Sequence, residues 1–76
     1  MIIANKDKSQ YINSDNVLNF HVYNSSQTNK YKLTVYVIGK ETSIELNSFE
    51  TFEEANKCIR DISHRIANNT SYFEIV

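Results

Sequence analysis

From Tyr31 to Leu46 the chain alternates with a period of two. Leu33, Val35 and Val37 are separated by Lys32, Thr34 and Tyr36, and beyond an interruption Ile44 and Leu46 are separated by Glu45. That period belongs to a strand with one buried face, and the β-branched and aromatic residues of the run suit a pleated surface. Gly39 is the only glycine in the chain, and a residue without Cβ takes a positive φ at low cost. The pattern therefore predicts a β-hairpin with a four-residue loop, Gly39 to Thr42. This sets Val37 opposite Ile44 and Val35 opposite Leu46, all four on one face.

Upstream, Ile2 to Ala4 is a short apolar run suited to an edge strand. Asn5 to Gln10 is a polar turn, and Tyr11-Ile12-Asn13 can pair back onto the first strand. Ser14-Asp15-Asn16 is a turn signal, because such side chains bond their own backbone. Val17 to Tyr23 predicts a further strand with Leu18, Phe20 and Val22 on one face and Val17, Asn19, His21 and Tyr23 on the other. Asn24 to Lys30 is polar, without a period, and reads as a mobile loop.

Downstream the period changes to three and four. Phe52, Ala55, Ile59, Ile62 and Ile66, with Cys58 and Ala67 on the flanks, describe an amphipathic helix of about sixteen residues. Thr51 and Glu54 fit a capping box at its start. Glu53 and Glu54 early, with His64 and Arg65 late, complement the helix dipole. Glu53–Lys57 and Asp61–Arg65 are spaced for ion pairs along it, and Asn68-Asn69 supplies a stop. Tyr72 to Val76 reads as a closing strand. The expected fold is α+β, a mostly antiparallel β-sheet with one amphipathic helix packed on one face, in the order β-β-β-β-α-β.

With 76 residues, positions 1–76 make a single small domain, and a chain this short buries only about 60% of its unfolded surface. Cys58 is the sole cysteine, so no disulfide framework compensates and self-association is the natural expectation. A net charge of −1 argues against nucleic acid and anionic membranes as partners. No apolar run of about 18 residues offers a membrane span. The Met1-Ile2-Ile3-Ala4 start lacks the basic region and long apolar core of a signal peptide, and a lone cysteine fits a reducing compartment. The expected location is cytoplasmic.

Little chemistry is encoded. Cys58 and His64 are six residues apart and point in different directions on a helix, so Cys58 reads as a small hydrophobe. Asp61 and His64 sit at i,i+3 without a nucleophile. The two histidines and the cysteine lack metal-ligand spacing, and a single glycine cannot make a phosphate loop. Neither enzymatic activity nor a cofactor is expected.

The second face of the sheet is more informative. His21, Tyr23, Lys32, Tyr36 and Ile38 form its candidate binding surface, beside Val17, Asn19 and Thr34. Tyrosine is common in half-exposed strands, and it is also enriched at interfaces because a large ring carries a polar tip. One reading is therefore a homo-oligomer or partner interface. A second is a small anionic ligand, such as a nucleotide signal, held between subunits by the rings, Lys32 and His21. RNA recognition on a stacking sheet fits less well with the balanced charge and with arginine confined to Arg60 and Arg65 on the helix.

Met1-Ile2-Ile3-Ala4-Asn5-Lys6-Asp7, Ile12-Asn13 followed by Asp15-Asn16-Val17, and Phe49-Glu50-Thr51-Phe52-Glu53-Glu54-Ala55 resemble the short, largely uncharacterised proteins of phages and mobile elements of low-GC Gram-positive bacteria. The likeness spans most of the chain in its order of elements. It lies in strand, turn and cap signals and carries no catalytic motif. It implies a small accessory factor that binds a host protein, for example a defence component, and modulates or inhibits it.

Overall fold

In a computed structural model, which describes residues 1–75, the chain forms β1 (Ile2–Ala4), β2 (Tyr11–Asn13), a 3-10 turn (Ser14–Asn16) and β3 (Val17–Ser25). It continues with β4 (Lys30–Val37), β5 (Ile44–Phe49), α1 (Phe52–Ala67) and β6 (Tyr72–Glu74). The fold is α+β with mostly antiparallel strands and one helix packed on a sheet face. Five strands rather than four precede the helix, because Tyr11–Asn13 pairs fully with β1. The strands divide into two sheets, ordered β2-β1-β6 and β3-β4-β5. The closing strand joins the smaller sheet and runs parallel to β1, with Ile3 opposite Phe73; Val76, expected at its end, lies outside the described residues.

Both sheets and the helix feed one core. Ile3, Ile12 and Ile75 come from the smaller sheet and its margin, Leu33, Val35, Val37 and Leu46 from the larger sheet, and Ile62 from the helix. The helix begins as its sequence requires. The Thr51 side chain accepts from the Glu54 N–H at 3.2 Å, and the Glu54 carboxylate accepts from the Thr51 N–H at 3.1 Å. It ends with Asn69 in the left-handed region (φ 57°). There the Asn69 and Thr70 N–H groups donate to the carbonyls of Ile66 and Arg65, closing the orphan acceptors of the last turn. Ala55 and Ile62 are fully buried in the middle of the apolar stripe, whereas Phe52 and Ile66 at its ends are exposed. The expected Glu53–Lys57 and Asp61–Arg65 ion pairs do not close among the described residues. The Arg65 guanidinium lies instead over the Phe73 ring, 5.2 Å from its centroid.

The central hairpin forms with a different register. Val35 faces Ile44 rather than Leu46, and Val37 pairs with Val17 on the other side. The connection is longer than four residues because the Gly39 turn, at φ 84°, is closed by Lys40 N–H donating to Val37 O and does not lead directly into β5. A shift of two residues preserves which face each side chain takes. The ladder then slips between Leu33 and Thr34, leaving Leu46 as an extra residue on β5. Leu46 and Asn47 are consequently both buried.

A second bulge reverses the expected faces at the start of β3. Val17 pairs with Val37 and Asn19 with Tyr36, so Leu18 is unpaired. Val17 packs against the core, while Leu18 is 66% exposed. Phe20 and Val22 keep their expected core-facing positions. The Asn24 to Lys30 segment is also shorter as a loop than its polarity suggests. Asn24 pairs with Tyr31 and Ser25 with Lys30, leaving a turn of residues 26–29 in which Asn29 adopts φ 56° and donates to Ser25 O at 2.7 Å. Backbone ladders extend through polar side chains at a sheet edge, since the hydrogen bonds need no apolar residue.

Candidate binding surface

The helix lies across the core face of the β3-β4-β5 sheet, and among the described residues no helix covers the opposite face. Cross-strand pairing brings Tyr23 beside Lys32, His21 beside Thr34 and Asn19 beside Tyr36 on that face. The His21 and Tyr23 rings stack with centroids 5.9 Å apart and planes 23° apart. Tyr23 is 42% exposed and Tyr36 38%. Four of the five expected residues, His21, Tyr23, Lys32 and Tyr36, therefore share one surface. Ile38 lies one residue beyond β4, where its N–H donates to Asn16 O at 2.8 Å, and its side chain is 63% exposed. Val17, expected beside them, turns to the core through the bulge.

The charge on this face is internally matched. The Lys32 ammonium sits 3.1 Å from a Glu45 carboxylate oxygen, and Ser48 Oγ lies 3.4 Å from the other oxygen. Sequence spacing did not bring Glu45 into the site, and only the shifted β4–β5 register sets it beside Thr34 and within reach of Lys32. Thr34 is 3% exposed beneath these neighbours, and its hydroxyl donates to His21 O at 3.3 Å. The result is a mostly neutral surface of aromatic rings and amides, with one matched ion pair.

The chemically suggestive residues elsewhere are not brought together. Burial, with a smaller contribution from Asp61, pushes the Cys58 thiol up to about 11, which leaves it protonated and weakly nucleophilic at neutral pH. Among the described residues no hydrogen bond joins Asp61 to His64, and Ser63 Oγ donates back to Ile59 O at 3.0 Å. Among the described residues no group of three or more His, Cys, Asp and Glu side chains could hold a metal ion. A polar depression of about 560 Å³ separates the β1–β2 turn from β5, and it sets Lys6 and Lys40 among Asp7 and Glu45. Among the described residues no helix is long and apolar enough to cross a membrane. Comparison with protein-family models, curated proteins and solved structures returned no match.

Proposed function

We propose that the chain is a non-enzymatic interaction protein that docks another protein on the open face of its β3-β4-β5 sheet. The observation that carries this reading is the pair of half-exposed tyrosines, Tyr23 and Tyr36, on a face the helix leaves uncovered. Rings held on a sheet lose little conformational freedom on binding and add apolar area with a polar tip. The Lys32–Glu45 pair neutralises the strongest charges nearby, so a partner need not supply a strong counter-charge. In the setting the resemblance suggests, the partner is a host protein, such as a defence component, that is modulated or inhibited inside the cell.

The same ion pair counts against an anionic ligand, because the Lys32 ammonium assigned to a phosphate is already engaged by a carboxylate. The test is affinity capture from the host with wild-type protein and with Tyr36→Ala. Loss of a specific captured protein by a variant that keeps its circular dichroism and melting temperature supports the reading. An unchanged captured set with Tyr36→Ala and with Tyr23→Arg would remove it. Millimolar nucleotides should leave the thermal transition unmoved, since a ligand bound only by the native state raises apparent stability by mass action.

A further inference from the structure

We infer that the outer edge of β3 is a self-association edge, and that two copies join there in antiparallel fashion about a twofold axis to make one six-stranded sheet. The sheet order places β3 at an edge, hydrogen-bonded to β4 alone among the described strands. It is the longest of the described strands, nine residues, whose eight rises of about 3.3 Å span roughly 26 Å. The described chain measures 35 Å in its longest dimension, so this edge is long on the scale of the molecule. Protein edges are normally blunted by lysine, proline or shortness. Val17–Ser25 contains no charged residue and no proline, and its one irregularity, the bulge at Leu18, lies at its start.

Three observations favour a second copy as the occupant. The first is burial within one layer. Leu33 and Val35 on β4 are fully buried, but their cross-strand partners Val22 and Phe20 are only half-buried, and no described strand flanks them on the far side. A further strand carrying apolar residues at the same level would close that gap. The second is self-complementarity, which a twofold contact demands. Antiparallel pairing of β3 with itself sets Phe20 and Val22 against apolar side chains on the core face. It sets Asn19, His21 and Tyr23 against the same residues of the second copy on the open face, with no Asp, Glu, Lys or Arg side chain opposed. The third is the contrast with the opposite edge. On β5 the Leu46 carbonyl is occupied by the Lys6 N–H and the Glu45 carbonyl by Asn5 Nδ2, so that edge is partly covered from within the chain.

This inference is independent of the docking face proposed above. Tyr36 lies on the inner strand β4 and its loss should leave edge pairing intact, whereas lysines on β3 should break it. The experiment combines sedimentation with amide hydrogen exchange from micromolar to millimolar protein. A dimeric mass at the higher concentrations is expected, with β3 amide exchange slowing as concentration rises. The double variant Asn19→Lys, His21→Lys should weaken dimerisation at least tenfold while Tyr36→Ala leaves it unchanged. A monomer throughout the range overturns the inference. So does a dimer whose β3 amides exchange independently of concentration, or one that tolerates both lysines. Should the double variant fail to fold, the exchange measurement on the wild type decides by itself.

Discussion

The backbone N–H of Lys6 donates to the carbonyl of Leu46 at 3.0 Å, and this bond ties the β1–β2 turn to the edge of the larger sheet. Leu46 is the extra residue of the β5 bulge, and a bulged residue is left without its ladder partner. The bulge thus lets Leu46 and Asn47 both be buried, while the Leu46 carbonyl serves the neighbouring β1–β2 turn. Asn5 completes the joint. It is almost fully buried, accepts from the Gln10 N–H at 2.9 Å, and donates to Ser9 Oγ and to Glu45 O.

Asn5→Ala is accordingly expected to destabilise the chain by about 1–3 kcal/mol, the cost of stranding buried partners. For a domain of this size that corresponds to a drop in melting temperature of roughly 4–8 °C per kcal/mol. Calorimetry checks it. Ser9→Ala removes two side-chain hydrogen bonds, one from Asn5 Nδ2 and one to Asp7 Oδ1, and should cost less because Asn5 keeps its bonds to Gln10 and Glu45. If the two variants melt together, Asn5 is not the joint between the sheets.

The helix start offers a cleaner magnitude. Thr51→Ala removes the side-chain acceptor of the Glu54 N–H and should cost about 1 kcal/mol, while Thr51→Ser or Thr51→Asp should retain most of it. Urea unfolding followed by far-ultraviolet circular dichroism distinguishes these. An alanine variant as stable as wild type would mean that the bond from the Glu54 N–H to the Thr51 hydroxyl contributes nothing.

Cys58 makes stability depend on pH in alkaline solution. Burial raises the folded thiol from an ordinary value of 9.0 to about 11, so the unfolded chain loses its proton first. Between those values the unfolded state binds fewer protons than the folded state, and stability falls as pH rises. The contribution is fully present below about pH 9, declines up to about 11 and levels off beyond. Cys58→Ala should lower stability at neutral pH and flatten this part of the profile. Alkylation by iodoacetamide should accelerate in the native protein only towards the upper end of the same window, well above the range of an exposed thiol.

Elements with a strong local cause were legible from the residues alone. The helix follows from a capping box, a three-four apolar spacing and a paired-asparagine stop, and its observed span Phe52–Ala67 has the sixteen residues expected. The α+β class and the shared face of His21, Tyr23, Lys32 and Tyr36 follow from alternation that survives in the middle of β3 and β4. The division into two sheets was not legible, because β1 meets β6 across almost the entire chain and no local pattern encodes that pairing. Ladder slips were equally hidden. A bulge depends on where backbone groups find partners, and neither Leu18 nor Leu46 differs in type from a residue in regular strand.

Leu18 and Val17 turn that hidden slip into a measurement. Regular alternation from Phe20 and Val22 places Leu18 in the core and Val17 in water, so it predicts that Leu18→Ser is the damaging change. The bulge reverses the order, since Leu18 is exposed while Val17 packs on the core cluster. Full burial of an aliphatic side chain stabilises by about 1.5–3 kcal/mol, and Val17 is half-buried, so Val17→Ser should cost about 1–2 kcal/mol. Leu18→Ser should fall within about 0.5 kcal/mol of wild type, as exposed substitutions do. Thermal and urea unfolding of the two variants side by side give the order directly. Should Leu18→Ser prove the more destabilising, β3 enters the sheet without the bulge, and the faces at its start are those the hydrophobic pattern alone describes.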